Sequence, residues 1–240
     1  MYVKRILALM LLGALVFGLA PFALAIKQVG SEESSEYRAN AAIALKLRLD
    51  EENYKNPVLC LDPSSTSVFI SKHFCIPKAY KPENLVYVDK QYAKKGVRLR
   101  EDCLSAFLAM ALDMQKEGLS PYIKSGYRVN RKRGSANNIW YAWPGHSEHQ
   151  TGLAFDLCLK GPKKKSLSAY KYETTSEYGW LCKNAYKYGF ILSYPEGKTD
   201  ITGFAFEPWH WRYVGAYIAT DMKQNGFSTF HEYWAEYLSD

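Results

Sequence analysis

The heptapeptide Leu153-Ala154-Phe155-Asp156-Leu157-Cys158-Leu159 reads as a strand with a carboxylate at its centre. Alternation puts Ala154, Asp156 and Cys158 on one face and Leu153, Phe155, Leu157 and Leu159 on the other. A strand this apolar belongs in the interior, where an ionised carboxylate is costly unless a cation or a metal answers it. The fold must therefore bring a positive partner to Asp156. The stretch before it, Pro144 to Gly152, reads PGHSEHQTG. It offers His149 seven residues upstream of Asp156, and Gly152 between them, where the chain can turn freely.

One neutral imidazole and one carboxylate suit zinc, but a catalytic zinc takes three protein ligands and keeps an open position. The third candidate lies in FEPWHW, Phe206 to Trp211. Glu207 and His210 are three residues apart, which in a regular strand puts them on opposite faces. Pro208 prevents that regularity, because it removes a backbone donor and confines Glu207 to extended geometry. A local bend would make His210 a ligand and set Glu207 to take a proton from water and deliver it to a leaving amine, while the ion lowers the water's pKa toward about 7. Spacing alone leaves a second reading open, in which His149, Asp156, Glu207 and His210 form a structural polar cluster or a surface loop.

The motifs also carry a resemblance. SEHQTGLAFD fits the Ser-x-His-x-x-Gly-x-Ala-x-Asp pattern of the D-alanyl-D-alanine metallopeptidases, and EPWH fits their Glu-x-x-His pattern. YKPENLV, SGYR, WLCKNAYKYGFILSYPEGK, ITGF and EPWHWRYVG are similar to the VanY-type carboxypeptidases in particular, over roughly Pro77 to Gly226. The resemblance implies one zinc ion on His149, Asp156 and His210, with Glu207 as general base. It makes Arg128 the cation that holds a substrate carboxylate or steadies an oxyanion, and a guanidinium fork suits a terminal carboxylate; a structural salt bridge is the alternative. Ser147 and Tyr194 are expected substrate contacts, or else a turn residue and one tyrosine among 19. The implied fold is α+β, a small antiparallel sheet with helices packed on it, of the D-Ala-D-Ala metallopeptidase and hedgehog-like type.

The implied activity is removal of the terminal D-alanine from peptidoglycan stem peptides or their precursors. Two alternatives stay open: an L,D-carboxypeptidase cutting tetrapeptide stems with the same residues, and a zinc-stabilised wall-binding module without turnover. A carboxylate three residues from a ligand argues against the module, since a structural zinc has no use for it. The chain departs from the pattern at Arg133, where similar proteins carry a peptide-holding glutamine. GSANNIWYAW, before Pro144, is an insert whose Trp140, Tyr141 and Trp143 either contact substrate or pack the loop. Glu148 alternates away from His149 and is expected to face solvent. His73, His146 and His231 are expected as surface or packing residues.

Residues 1–25 place Lys4 and Arg5 before an almost unbroken apolar run, then Pro21 and Ala23-Leu24-Ala25. That is the layout of a secretory signal peptide, or of an uncleaved anchor if the run spans a bilayer. Either way the remainder is expected to work outside the cytoplasm, in contact with the cell wall and with a possible membrane tether. Residues 26–58 read as a polar stalk and 59–240 as the catalytic domain. Without Lys4 and Arg5, 29 of the 31 basic side chains remain against 24 acidic, an excess of about +5 that suits an anionic surface. No concentrated basic stripe for nucleic acid stands out beyond Arg131-Lys132-Arg133. The five cysteines have no metal or redox spacing; Cys60 and Cys75 are the pair most readily imagined as a disulfide.

The catalytic region should alternate unevenly. A helix is expected over Leu99–Gly118 with Leu104, Leu108, Ala111 and Leu112 inward, and a strand in SPYIKSGYR. A helix should open at Ser176 and stop at Gly189, followed by strands in FILSYP and FEPWHWRYV and two closing helices.

Overall fold

The computed structural model describes residues 57–129, 138–159 and 169–239. The expected leader 1–25, nearly all of the stalk 26–58, the basic run and Arg133 lie outside these residues. Among the described residues, no helix is long and apolar enough to cross a membrane.

A four-stranded antiparallel sheet carries the site. Its strands are β5 (Pro121–Ser125), β6 (Ala154–Leu159), β7 (Phe190–Leu192) and β8 (His210–Tyr213), in the order β5-β6-β8-β7. The strands expected from alternation are all present, and β6 is central. Its Phe155 and Leu157 are buried beneath α1 (Glu101–Lys116), where Phe107 meets Phe155 edge-on with centroids 5.3 Å apart. Phe155 also meets Phe190 of β7 at 5.2 Å, so one aromatic row ties helix to sheet.

Helix α1 turns a different face inward from the one expected. Cys103, Phe107, Met110, Ala111 and Met114 are buried, Leu104 and Leu108 are only partly covered, and Leu112 is 54% exposed. Both sets obey helical spacing, and they differ in rotation about the axis. Phe107, Met110 and Met114 are all fully buried, and withdrawing these large apolar side chains from water favours that rotation.

The first strands form two small pairs, β1 (Val58–Leu59) with β2 (Phe74–Cys75) in parallel, and β3 (Leu85–Tyr87) with β4 (Arg98–Arg100) antiparallel. Cys60 donates its backbone N–H to the Cys75 carbonyl, yet all five cysteines are free thiols, and the Cys60 thiol donates to the Phe69 carbonyl. Helix α2 (Ser176–Asn184) is capped by Thr175 rather than opened by Ser176, and a 3-10 turn carries it on to Gly189, whose φ of 85° ends it. A short helix α3 (Thr199–Thr202) precedes β8. Helices α4 (Ala216–Gln224) and α5 (Phe230–Tyr237) close the fold, α5 with a Thr229/Glu232 capping box and Trp234 stacked on Phe69 at 4.3 Å.

Candidate active site

Cross-strand register brings the first two candidate ligands together: Asp156 of β6 stands directly opposite His210 of β8. The third comes from the 3-10 turn Glu148–Thr151, which precedes β6 and ends at Gly152 with φ 72°. A Cβ at Gly152 would press on Leu85 at 3.0 Å and the Arg100 backbone nitrogen at 3.2 Å, so the turn needs glycine for both conformation and room. The bend expected at Pro208 is present, with the His210 N–H donating to the Glu207 carbonyl at 2.9 Å.

His149 Nε2 lies 3.2 Å from Asp156 Oδ1, and His210 Nδ1 lies 3.1 Å from the same oxygen. The second nitrogen of each ring has its own acceptor. His149 Nδ1 is 2.9 Å from the Gly126 carbonyl, and His210 Nε2 is 2.9 Å from Glu148 Oε2. A ring proton belongs at each of those acceptors, which leaves lone pairs on His149 Nε2 and His210 Nδ1. Two lone pairs and a carboxylate oxygen aimed at one spot repel unless a cation lies between them. The donor atoms lie within 4.8 Å of one another, and the set of two imidazoles and a carboxylate suits zinc.

Charge shifts around the cluster have the same cause. Burial alone would raise Asp156, but His149 and His210 outweigh it and hold the carboxyl far below its usual range. Burial would lower His210, but its bonds to Asp156 and Glu148 push it up to about 10. Without an ion, then, a proton bridges Nδ1 and Asp156, and a bound cation would take that proton's place. Glu207 behaves differently: burial, with help from Asp156 and Glu148, pushes it up to about 7 against His210 and Arg128. Its Oε2 is 3.8 Å from His210 Nδ1, on the lip of the cluster. A cation bound at the cluster would lower that value again.

A narrow cleft opens over these groups, lined by Arg128, Trp140, Tyr141, Ser147, Tyr194 and Glu207 with the two histidine rings. Ser147 and Tyr194 are buried, and the Tyr194 ring packs on His210 with centroids 4.9 Å apart. Arg128 is tied to the site through its backbone, whose N–H donates to the His149 carbonyl at 3.3 Å. From the insert, Trp140 and Tyr141 reach the cleft, 41% and 70% exposed, while Trp143 turns to His146 instead. His73, His146 and His231 are buried packing residues, with the His146 ring nitrogen 2.8 Å from the Ser71 carbonyl.

Glu148 corrects the expectation of a solvent-facing side chain. It is buried, and it accepts from Ser193 Oγ at 2.6 Å, from His210 Nε2 at 2.9 Å and from Arg212 Nη1 at 3.0 Å. Burial would raise its pKa, but Arg212 and His210 prevail and hold it well below the usual carboxylate range. Residues 148–151 form a 3-10 turn, not a strand, and the whole turn is buried, so strand alternation does not apply to them. Arg212 was the available clue: an arginine in the apolar strand HWRY needs an anion by the same reasoning that Asp156 needs a cation.

Comparison with known proteins places this geometry among relatives. The family model described as VanY, D-alanyl-D-alanine carboxypeptidase, matches residues 96–216. The bifunctional D-Ala-D-Ala dipeptidase and D-Ala-D-Ala carboxypeptidase VanXYC of Enterococcus gallinarum is 30% identical over 198 residues, covering 72% of this chain and 96% of that protein. Among solved structures, the LD-carboxypeptidase LdcB superposes with a TM-score of 0.64 at 29% identity, covering 77% of this chain and 96% of LdcB. A mutant of the vancomycin-resistance D,D-pentapeptidase VanY, in complex with Zn(II), does so with a TM-score of 0.58 at 30% identity, covering 72% and 99%.

Proposed function

The chain belongs to the VanY family of D-alanyl-D-alanine carboxypeptidases, and from that premise we propose that it removes the terminal D-alanine from peptidoglycan stem peptides by zinc-dependent hydrolysis. The observation that carries the reading is the convergence of His149, Asp156 and His210 beside the Glu207 carboxylate. Held by those three side chains, zinc supplies Lewis-acid charge to the scissile carbonyl and acidity to water.

The chain's own residues do the rest. Arg128 takes the free carboxylate of the terminal residue in its guanidinium fork and sets the scissile bond in the cleft. Glu207 accepts a proton from the attacking water as its oxygen bonds to the carbonyl carbon. The C–N bond then breaks, and the same carboxyl returns the proton to the departing amine, so one group serves as base and acid. Its place beside the ligand cluster, with Oε2 3.8 Å from His210 Nδ1, sets it to serve both steps. Tyr194 and Ser147 shape the cleft wall against the substrate backbone.

The homology with LdcB favours a second reading, in which the same residues cleave L,D bonds of tetrapeptide stems. Mass spectrometry of muropeptides incubated with the purified protein separates the two. Loss of one alanine from pentapeptide stems with tetrapeptides left intact supports D,D specificity, and conversion of tetrapeptides to tripeptides supports the alternative. Trimming of neither stem would overturn both enzymatic readings and leave the wall-binding module to be tested. The site works outside the cytoplasm on this reading, since its substrate is wall material, with residues 1–25 as leader or tether.

A further inference from the structure

We propose that Glu148 is a positioning residue for the metal centre: its carboxylate keeps the His210 proton on Nε2 and so presents Nδ1 to the ion as a lone pair. The inference rests on the zinc reading above and adds a residue that the motif does not count as a ligand. A neutral imidazole carries one N–H, and the acceptor it meets decides which nitrogen that is. For His149 the acceptor is a neutral backbone carbonyl, that of Gly126. For His210 it is Glu148 Oε2, an anion, which fixes the tautomer more firmly and raises the basicity of the ligating nitrogen.

Glu148 can do this because it is itself held on every side. Ser193 Oγ donates to Oε2 and Arg212 Nη1 donates to Oε1, so the carboxylate has one orientation. Arg212 is fully buried, and its Nη2 donates to the carbonyls of Thr66 at 3.1 Å and Val68 at 2.6 Å. The guanidinium is therefore anchored to backbone well outside the motif. A chain of fixed groups runs from the Thr66–Val68 loop through Arg212 and Glu148 to the far nitrogen of His210. A bland alternative exists, in which Glu148 merely neutralises Arg212 and the metal does not sense it.

The two are separated on the full-length protein, stripped with a chelator and retitrated with zinc against a chromogenic competitor. Glu148→Gln keeps the shape but turns an amide N–H₂ toward one of three donors. The double variant Glu148→Gln/Arg212→Met also removes the cation that would be left unpaired. Both should bind zinc about 10–100-fold more weakly than wild type while thermal unfolding shows them folded, and their cobalt(II) forms should have altered visible bands. Wild-type affinity in the folded double variant would overturn the proposal and leave the zinc reading standing. A wild-type protein that binds no zinc would overturn both. Nitrogen NMR of the zinc-loaded wild type needs no variant: His210 should be protonated at Nε2 and metal-shifted at Nδ1, and the opposite tautomer ends the argument.

Discussion

At the scale of single residues, Glu207, His210 and Arg128 should fail in three different ways. Glu207→Gln keeps size but cannot take a proton, so zinc should stay while D-alanine release falls roughly 10²–10⁴-fold. His210→Ala should lose metal and activity together, since two ligands do not fix the ion. Arg128→Ala should keep zinc and weaken handling of the free carboxylate, so an amidated substrate should suffer less than the free acid. Parallel measurement of bound zinc and of turnover on both substrates checks the set; near-normal release by zinc-loaded Glu207→Gln would show that another group moves the proton. Glu207 and His210 were legible as candidates in the sequence, because each is a costly residue beside proline or among aromatic neighbours, whereas Arg128 entered through the family resemblance of SGYR. The inward turn of Glu148 was not legible, because residues 148–151 form a 3-10 turn buried on every side, where alternation carries no information.

At the scale of elements, helix α1 tests how burial selects a face. Phe107 is fully buried against Tyr92 and Phe155, whereas Leu112 is largely exposed. Phe107→Ala should destabilise the fold by about 3–5 kcal/mol, and Leu112→Ala should stay within about 0.5 kcal/mol. Urea unfolding of the two variants gives the comparison directly. A large loss at Leu112 would mean that the helix presents the leucine face after all. Hydrophobic spacing located this helix and its end near Gly118, but two faces satisfied the period equally. The choice belonged to the sheet beneath, whose Phe155 lies under one of them. The same holds for α2, where Thr175 rather than Ser176 is the cap because only Thr175 has extended backbone and an oxygen within reach of the Tyr178 N–H.

At the scale of the molecule, metal and fold should be coupled. Zinc bound at the junction of β6, β8 and the 3-10 turn favours the folded chain by mass action, about 2.7 kcal/mol at a hundredfold excess over its dissociation constant. The protein should carry about one zinc per chain by elemental analysis, and a chelator should lower its thermal midpoint in wild type but not in His210→Ala. Residues 1–25 make a separate prediction: intact mass of the exported protein should correspond to a chain beginning at Ile26, and a mass retaining the apolar run would identify an anchor. By itself the sequence determined the donor chemistry, the strand around Asp156, the bend at Pro208 and the family, because these follow from residue types and short spacings. The tertiary structure alone decided which ring nitrogens face Asp156, which face of α1 is inside, and that Thr66 and Val68 reach His210 through Arg212 and Glu148. Those depend on contacts between residues up to 146 positions apart, and no local pattern carries information over that separation.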